Sequence, residues 1–402
     1  MATGTPGFVP IRLRQAREAR GLTETSLADL CEVSVQAVSQ YEKGKHAPTQ
    51  DILRRIADKL NLPFHFFLRP LPPAKTKTKF YRSMSTATKG ARTKAERRYE
   101  WWCEIVSYVC NFVKLPKVNF PSVEVPVDPR EITSEFIEEV ARGVRRHWQL
   151  GDGPISNVAW LIENNGAMIA RHRLDAEKLD AFSEWRDDAG RPFIVLGTDK
   201  GSAVRSRFDV VHELAHMILH RNLALEDFSK GDIFNVIEEQ ADRFAGAFLL
   251  PESTFSEDAY APTLDGFSAL KSKWKVSIGA MIARARQLEL IDDDQERKLW
   301  INRTRRGWRT NEPLDDTIEP ETSRFLRRSV ELLIDKKIVS RQDIPFQLGL
   351  TAKDVEELAG LTPGYLSDQT DEMRPLLKFP SDAPDNDESE TLKFGEHRSA
   401  KI

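Results

Sequence analysis

Cysteine is nearly absent from the chain: Cys31, Cys103 and Cys110 are the only three in 402 residues, and no pair has C-x-x-C spacing. An odd, scattered set excludes a disulfide framework and a cysteine zinc finger, and it fits a reducing cytoplasm. Long apolar runs are missing as well. No window approaches the roughly 20 apolar residues that a membrane-spanning helix needs, so no membrane partner is expected. The segment Met1 to Pro10 lacks the basic stretch and apolar core of an export signal. Charge of one sign is not in excess either: Lys plus Arg is 59 against 62 for Asp plus Glu, and the net charge of −3 identifies no partner. What remains is a soluble multidomain protein, with 40% hydrophobic residues to build its cores.

Histidine is also scarce, at eight residues, which makes one stretch stand out. Phe208 to His220 contains His212-Glu213-Leu214-Ala215-His216, an H-E-x-x-H pattern. Val210, Val211, Leu214, Met217 and Ile218 recur at three- and four-residue steps without Pro or Gly, so the stretch reads as an amphipathic helix. On it His212 and His216 share a face one turn apart. Two neutral imidazoles at that spacing can bind one Zn²⁺, and Glu213 beside them can deprotonate a bound water. Composition alone would produce the motif about 0.01 times in such a chain. The competing reading is a charged helix with hydrogen-bonded histidines, and a third ligand decides between them.

Val236 to Pro251 reads as a second helix and supplies that ligand. Glu238 and Asp242 stand four apart on one face, so Glu238 can complete a His₂Glu set while Asp242 accepts an N–H from a ligating imidazole and fixes its tautomer. Glu239 points about 100° away and is the weaker candidate. His220 is displaced along its helix by about 6 Å from His216 and is expected to be structural. For an oxyanion stabiliser the sequence offers only His172, Arg171 and Arg207 as candidates.

The N-terminal segment, 8–68, reads as short helices: Ile11–Arg20, Thr23–Cys31, Ser34–Lys43 and Gln50–Leu60. Gly21 and Gly44 suit helix C-caps, Thr23 and Ser34 suit N-caps, and Leu27, Ala28, Val33, Val38, Tyr41, Ile52, Ile56 and Leu60 would form one core. Leu27 to Gly44 closely resembles the helix-turn-helix of the lambda-repressor-like (XRE) family. The resemblance implies that Ser34–Glu42 lies in the major groove of a double-stranded DNA operator. Gln36, Ala37, Ser39 and Gln40 would face the bases, and Lys43 and Lys45 the phosphates. The alternative for this segment is protein binding or dimerisation.

Leu68-Arg69-Pro70-Leu71-Pro72-Pro73 is a stiff boundary, and a run of Lys and Arg from Lys75 to Arg98 follows it. That run in the connector, 69–115, suits either a DNA backbone or a solvated helix face. Trp101, Trp102, Val106, Val109 and Phe112 read as core. Beyond it come helices at Glu135–Trp148 and Ile155–Asn164, strands at Gly166–Arg171 and Pro192–Leu196, and a third strand at Asp180–Trp185. The result is an α+β arrangement over 130–255, in which H-E-x-x-H with the E-x-x-x-D of Glu238 and Asp242 resembles a gluzincin-type site.

Arg207-Phe208, the H-E-x-x-H with His220, and Glu238-x-x-Ala241-Asp242-Arg243-Phe244-Ala245 through Leu249-Leu250-Pro251 together resemble the ImmA/IrrE family of zinc metallopeptidases. The resemblance covers about Glu135 to Pro251. It implies His212, His216 and Glu238 as ligands and Glu213 as general base. Many members carry Asn where this chain has Asp242. A helical region follows over 256–370, in which Phe267–Trp274 and Ser277–Leu288 have a helix-turn-helix look but are expected to pack beside the site. The polar stretch 380–402 reads as a disordered acidic tail.

The fold class is therefore multidomain: an all-α helix-turn-helix bundle, an α+β metallopeptidase domain and a helical C-terminal region. The function that follows is a cytoplasmic DNA-binding regulator whose zinc endopeptidase cleaves a repressor, an antitoxin or itself. Because such helix-turn-helix modules read paired half-sites, a homodimer is expected. The alternative is a non-enzymatic transcription factor or antitoxin whose metal domain is a sensor or binding module.

Overall fold

A computed structural model describes residues 4–71, 76–80, 88–173, 181–186, 188–198, 202–223 and 231–367. The acidic stretch 380–402, and Lys75 and Arg82 of the basic run, lie outside these residues.

The N-terminal helices begin where a hydroxyl can take an exposed N–H. Helices α2 (Glu24–Cys31), α3 (Val35–Glu42) and α4 (Gln50–Leu60) are capped by Thr23, Ser34 and Thr49, which accept from Ser26, Ala37 and Ile52. Helix α1 (Pro10–Ala19) instead starts on a proline, whose missing N–H would have no partner there anyway. Gly21 and Gly44 take φ of +72° and +69°, as helix ends favouring glycine require. Between α2 and α3 the chain turns at Glu32, in the left-handed region. Leu27, Ala28, Val38, Ile56 and Leu60 are buried, and Val33, Tyr41 and Ile52 pack against them.

The predicted aromatic core belongs to α5 (Lys89–Cys110), where Trp101, Trp102, Ile105, Val106 and Val109 are buried; Phe112, just beyond it, is exposed. Helices α14 (Phe325–Asp335), α15 (Asp343–Leu348) and α16 (Ala352–Ala359) share its hydrophobic cluster, as does the N-terminal bundle.

The same cluster continues onto one face of a four-stranded sheet, β1 (Thr76–Phe80), β2 (Met168–His172), β3 (Ala181–Arg186) and β4 (Arg191–Gly197), in the order β1-β3-β4-β2. The three expected strands are present. The fourth, β1, comes from the run read as a charged connector. β3 is antiparallel to β1 and β4, and β2 is parallel to β4. Alternation along the strands divides the cores: Met168, Ala170, Phe182, Phe193 and Val195 face α5, while Ile169, Ala181, Ile194 and Leu196 join the other cluster.

On that second face lie α6 (Ser134–His147), α7 (Val158–Asn164), α8 (Ala203–Leu219) and α9 (Gly231–Leu249), followed by α10 (Glu252–Asp258), α11 (Leu264–Trp274), α12 (Ile278–Gln287) and α13 (Asp293–Arg305). The helix-turn-helix look of α11 and α12 is real at the turn. Lys275 has φ 52°, ψ 43°, against φ 52°, ψ 46° for Glu32. Yet Ile278, Met281, Ile282 and Ala285 bury α12, and the Ile278 and Gly279 amides donate to Glu312 at 2.8 and 3.2 Å. Packing is its role, as expected.

Ion pairs tie these layers together. Arg12 has no exposed side-chain surface, and all five of its N–H groups have acceptors: Glu104 at 2.6 and 3.0 Å, Gln15 at 2.8 Å, and the carbonyls of Arg69 and Pro70. Arg97 donates to Glu18 at 2.8 Å, and Arg98 pairs with Glu357 at 2.6 Å. These two members of the basic run thus serve neither DNA nor a solvated face. Removing one partner of a buried pair strands the other charge. Glu104→Ala is therefore expected to lower unfolding stability by about 3–5 kcal/mol, measured by chemical denaturation, whereas truncating the exposed Arg297 beside Asp294 should change it by under about 1 kcal/mol.

Candidate metal centre

Helix α8 buries Val210, Val211, Leu214 and Leu219 in the second core, and α9 buries Ala241, Phe244 and Phe248 in the same core. The helix period then places His212 and His216 on one side of α8, and Glu238 and Asp242 on one side of α9, facing each other. His212 Nε2 lies 3.0 Å from His216 Nε2, and Glu238 oxygens lie 3.7 Å from the first and 3.3 Å from the second. One donor atom from each of the three fits within 4.8 Å. A tetrahedral ion with ligands at about 2.0–2.1 Å needs donors about 3.3 Å apart, so the set has the size of a zinc site. Glu239 is exposed, as its position around the helix predicts.

The proton positions follow from the partners. Gln240 donates its amide N–H to the carbonyls of Pro129 (2.6 Å) and Ile132 (3.3 Å), which leaves Oε1 as an acceptor. His220 Nε2, at 3.0 Å, must therefore donate to it. Burial holds the His220 imidazole well below its ordinary pKa, so it is neutral and its Nδ1 is a bare acceptor. His216 Nδ1, 2.9 Å away, must then carry a proton, which makes His216 Nε2, facing His212 and Glu238, the unprotonated nitrogen. Asp242 does the same for His212, accepting from Nδ1 at 2.7 Å. His220 lies outside the group of three donors and bridges His216 and Gln240, an arrangement that sets the His216 tautomer.

Glu213, at 1% exposure, accepts a hydrogen bond of 2.5 Å from Ser183 on β3. Sequence reasoning missed Ser183 and Gln240. Neither stands in a periodic motif, and each gains its place only through tertiary packing.

Both arginines among the oxyanion candidates are bonded to other groups. Arg171 donates to the Glu321 carbonyl at 2.6 Å and to Ser206, and Arg207 pairs with Glu321 and the Ile155 carbonyl. His172 sits at the end of β2, edge-on to Trp102 of α5. Neither of its ring nitrogens has a hydrogen-bond partner among the described residues.

At the other end of the chain, Gln36, Lys43 and Lys45 are exposed, and Ala37, Ser39 and Gln40 are half-buried along the outer side of α3. Glu42 is held from behind by Arg17 at 2.6 and 2.7 Å.

Residues 162–286 match the model of the M78 peptidase family described as the IrrE N-terminal-like domain, and residues 13–67 match a helix-turn-helix family. No curated protein matches the chain. The chain thus joins an XRE-type helix-turn-helix, the mark of a DNA-binding regulator, to an IrrE-like domain of metallopeptidase type. Among the described residues no helix is long and apolar enough to cross a membrane.

Burial, and secondarily the Arg98 charge, push the His172 pKa from 6.5 down to about 3. As pH falls below about 6.5 the unfolded chain takes up a proton there that the folded chain refuses, so folding loses up to about 1.4 kcal/mol per pH unit from this group. His172→Phe cannot titrate in either state. Between pH 6.5 and 4.5 the wild type is expected to lose about 2 kcal/mol more stability than His172→Phe, read by denaturation at both pH values.

Proposed function

We propose that the protein is a DNA-binding regulator carrying a zinc-dependent endopeptidase, which cleaves a partner regulator such as a repressor or antitoxin, or the chain itself. The observation that carries this reading is the donor set: the Nε2 atoms of two imidazoles whose Nδ1 atoms are bonded to Asp242 and His220, and a carboxylate of Glu238, together within 4.8 Å and next in sequence to Glu213. His212, His216 and Glu238 would hold the metal. Zinc bound there would supply Lewis acidity, polarising a water and the scissile carbonyl.

The chain's own groups do the rest. Glu213 takes the proton of the attacking water and returns it to the leaving amine. Ser183, bonded to one Glu213 oxygen, fixes the direction of that carboxylate. Asp242 and the His220–Gln240 pair keep both imidazoles in the tautomer that presents Nε2. Glu213→Gln keeps the size of the side chain but not its basicity. The variant should purify with zinc near one equivalent while turnover falls by about 10²–10⁴-fold. Comparing new protein N-termini in cells carrying wild type or Glu213→Gln reads the second effect. Cleavage products unchanged by the substitution would refute the mechanism, and wild-type protein without zinc would favour a metal-free binding module.

For the DNA-reading half, α3 enters the major groove, with Gln36, Ala37, Ser39 and Gln40 on base edges and Lys43 and Lys45 on phosphates. Homodimers would bind two half-sites about one helical turn apart. On an operator selected from a random duplex library, Gln36→Ala and Gln40→Ala should each weaken binding by about 1–3 kcal/mol and relax preference at one base pair. Lys43→Ala and Lys45→Ala should each lower the salt slope by about one with selectivity intact. Equal binding of all sequences by the wild type would remove operator reading.

A further inference from the structure

Strand β1 stands at the edge of the sheet nearest the Glu213 carboxylate. Its partner β3 would otherwise be the outermost strand there, because the order is β1-β3-β4-β2. The ladder is antiparallel, with Phe80 opposite Ser183, Lys79 opposite Glu184, Thr78 opposite Trp185 and Thr76 opposite Arg186. Ser183 is the residue that donates to Glu213. Opposed Cα atoms in such a ladder are about 4.5–5.5 Å apart, so the backbone at Phe80 runs one strand spacing from the residue that orients the general base.

A bare strand edge presents a row of unpaired N–H and C=O groups, and it captures extended chain by adding a strand. A peptide to be cut beside Glu213 must be extended there, and its own N–H and C=O groups need partners. The edge of β3 is the ladder that meets both needs. Residues 76–80 already occupy it.

We propose that Thr76–Phe80 is a built-in occupant of the substrate edge: the substrate is an extended polypeptide segment that adds to β3 as an antiparallel strand, and β1 must vacate that edge before the segment can bind. This rests on the endopeptidase reading for its meaning, while the competition itself is independent of metal and turnover. The occupying strand also belongs to the link between the DNA-reading bundle, which ends at Leu68, and α5, which begins at Lys89. Access to the centre is thereby joined through the chain itself to the DNA-reading end.

The test uses the full chain with Glu213→Gln to prevent cutting, and as probe a fluorescent synthetic peptide of residues 74–86. Thr78→Pro with Lys79→Pro removes two consecutive N–H donors, one of which points at β3 whatever the ladder phase, and disfavours strand pairing. The proline variant should bind the peptide at least tenfold more tightly than its parent, and those β3 amides over 181–186 that face β1 rather than β4 should exchange hydrogen at least tenfold faster. Equal peptide affinity in the two proteins, or no binding to the variant, overturns the proposal. So do β3 amides that exchange in the parent as fast as in the variant, and the parent's own exchange protection is readable even if the variant unfolds. Loss of zinc binding or of Glu213-dependent cleavage would instead overturn the endopeptidase reading and leave this competition standing.

Discussion

The Arg12 guanidinium is the fastening on which the arrangement of the two functional ends depends. A fully buried cation is tolerated only when each of its donors is satisfied, and here Glu104, Gln15 and the carbonyls of Arg69 and Pro70 satisfy all five. Those partners come from α1, from α5 and from the chain leaving the N-terminal bundle, so one side chain bonds three parts of the chain where the DNA-reading bundle meets α5. From there Trp102 packs edge-on against Phe193, and Tyr99 donates to Glu184 at 2.6 Å, which carries the same contact into the sheet. The neighbour of Glu184 on β3 is Ser183, on the opposite face, bonded to Glu213. Sheet alternation thus places a residue held by α5 next to a residue that holds Glu213.

At the centre the governing constraint is the four-residue step. His212, His216 and His220 stand on successive turns of one face, rising about 6 Å each. Three imidazoles in a row cannot all reach one ion at about 2 Å, so the third must do something else. Its neutrality and the Gln240 carbonyl determine what that is. The proton order runs from Gln240 through His220 to His216, and it ends in a lone pair at Nε2. Asp242 reaches the same end for His212 with a carboxylate, which accepts a proton-bearing nitrogen more strongly than a neutral amide oxygen would.

What was legible in the sequence was local. Thr23 and Ser34 announced helix starts through their hydroxyls, and the i, i+4 spacing of His212/His216 and Glu238/Asp242 announced two faces, because both signals act within one or two turns. Ser183, Gln240, Glu104 and β1 were not legible. Each acquires its role from a partner more than a helix away in the chain: Gln240 from His220 and Pro129, Ser183 from Glu213, Glu104 from Arg12, and β1 from a strand about 100 residues downstream. In Thr76-Lys77-Thr78-Lys79-Phe80 the strand period was present, yet without an apolar face it reads equally well as a charge run.

The limit of local reading shows most clearly in three nearly equal turns. α2–α3, α11–α12 and α15–α16 are each joined by a left-handed residue, Glu32, Lys275 or Gly349, then an apolar residue, then a hydroxyl N-cap, Ser34, Ser277 or Thr351. A sequence rule for a helix-turn-helix accepts all three. Tertiary packing separates them. Glu312 fills the N-terminus of α12, backed by Lys271 at 2.9 Å and Arg303 at 2.9 Å, so an internal carboxylate sits where a phosphate would bind. α16 is turned inward, with Val355 and Leu358 in the core and Asp354 paired to Arg20 at 2.7 Å. Only α3, with Val38 alone fully buried, leaves the outer side of its second helix to solvent. Of three turns with one geometry, burial leaves a single one able to enter a DNA groove.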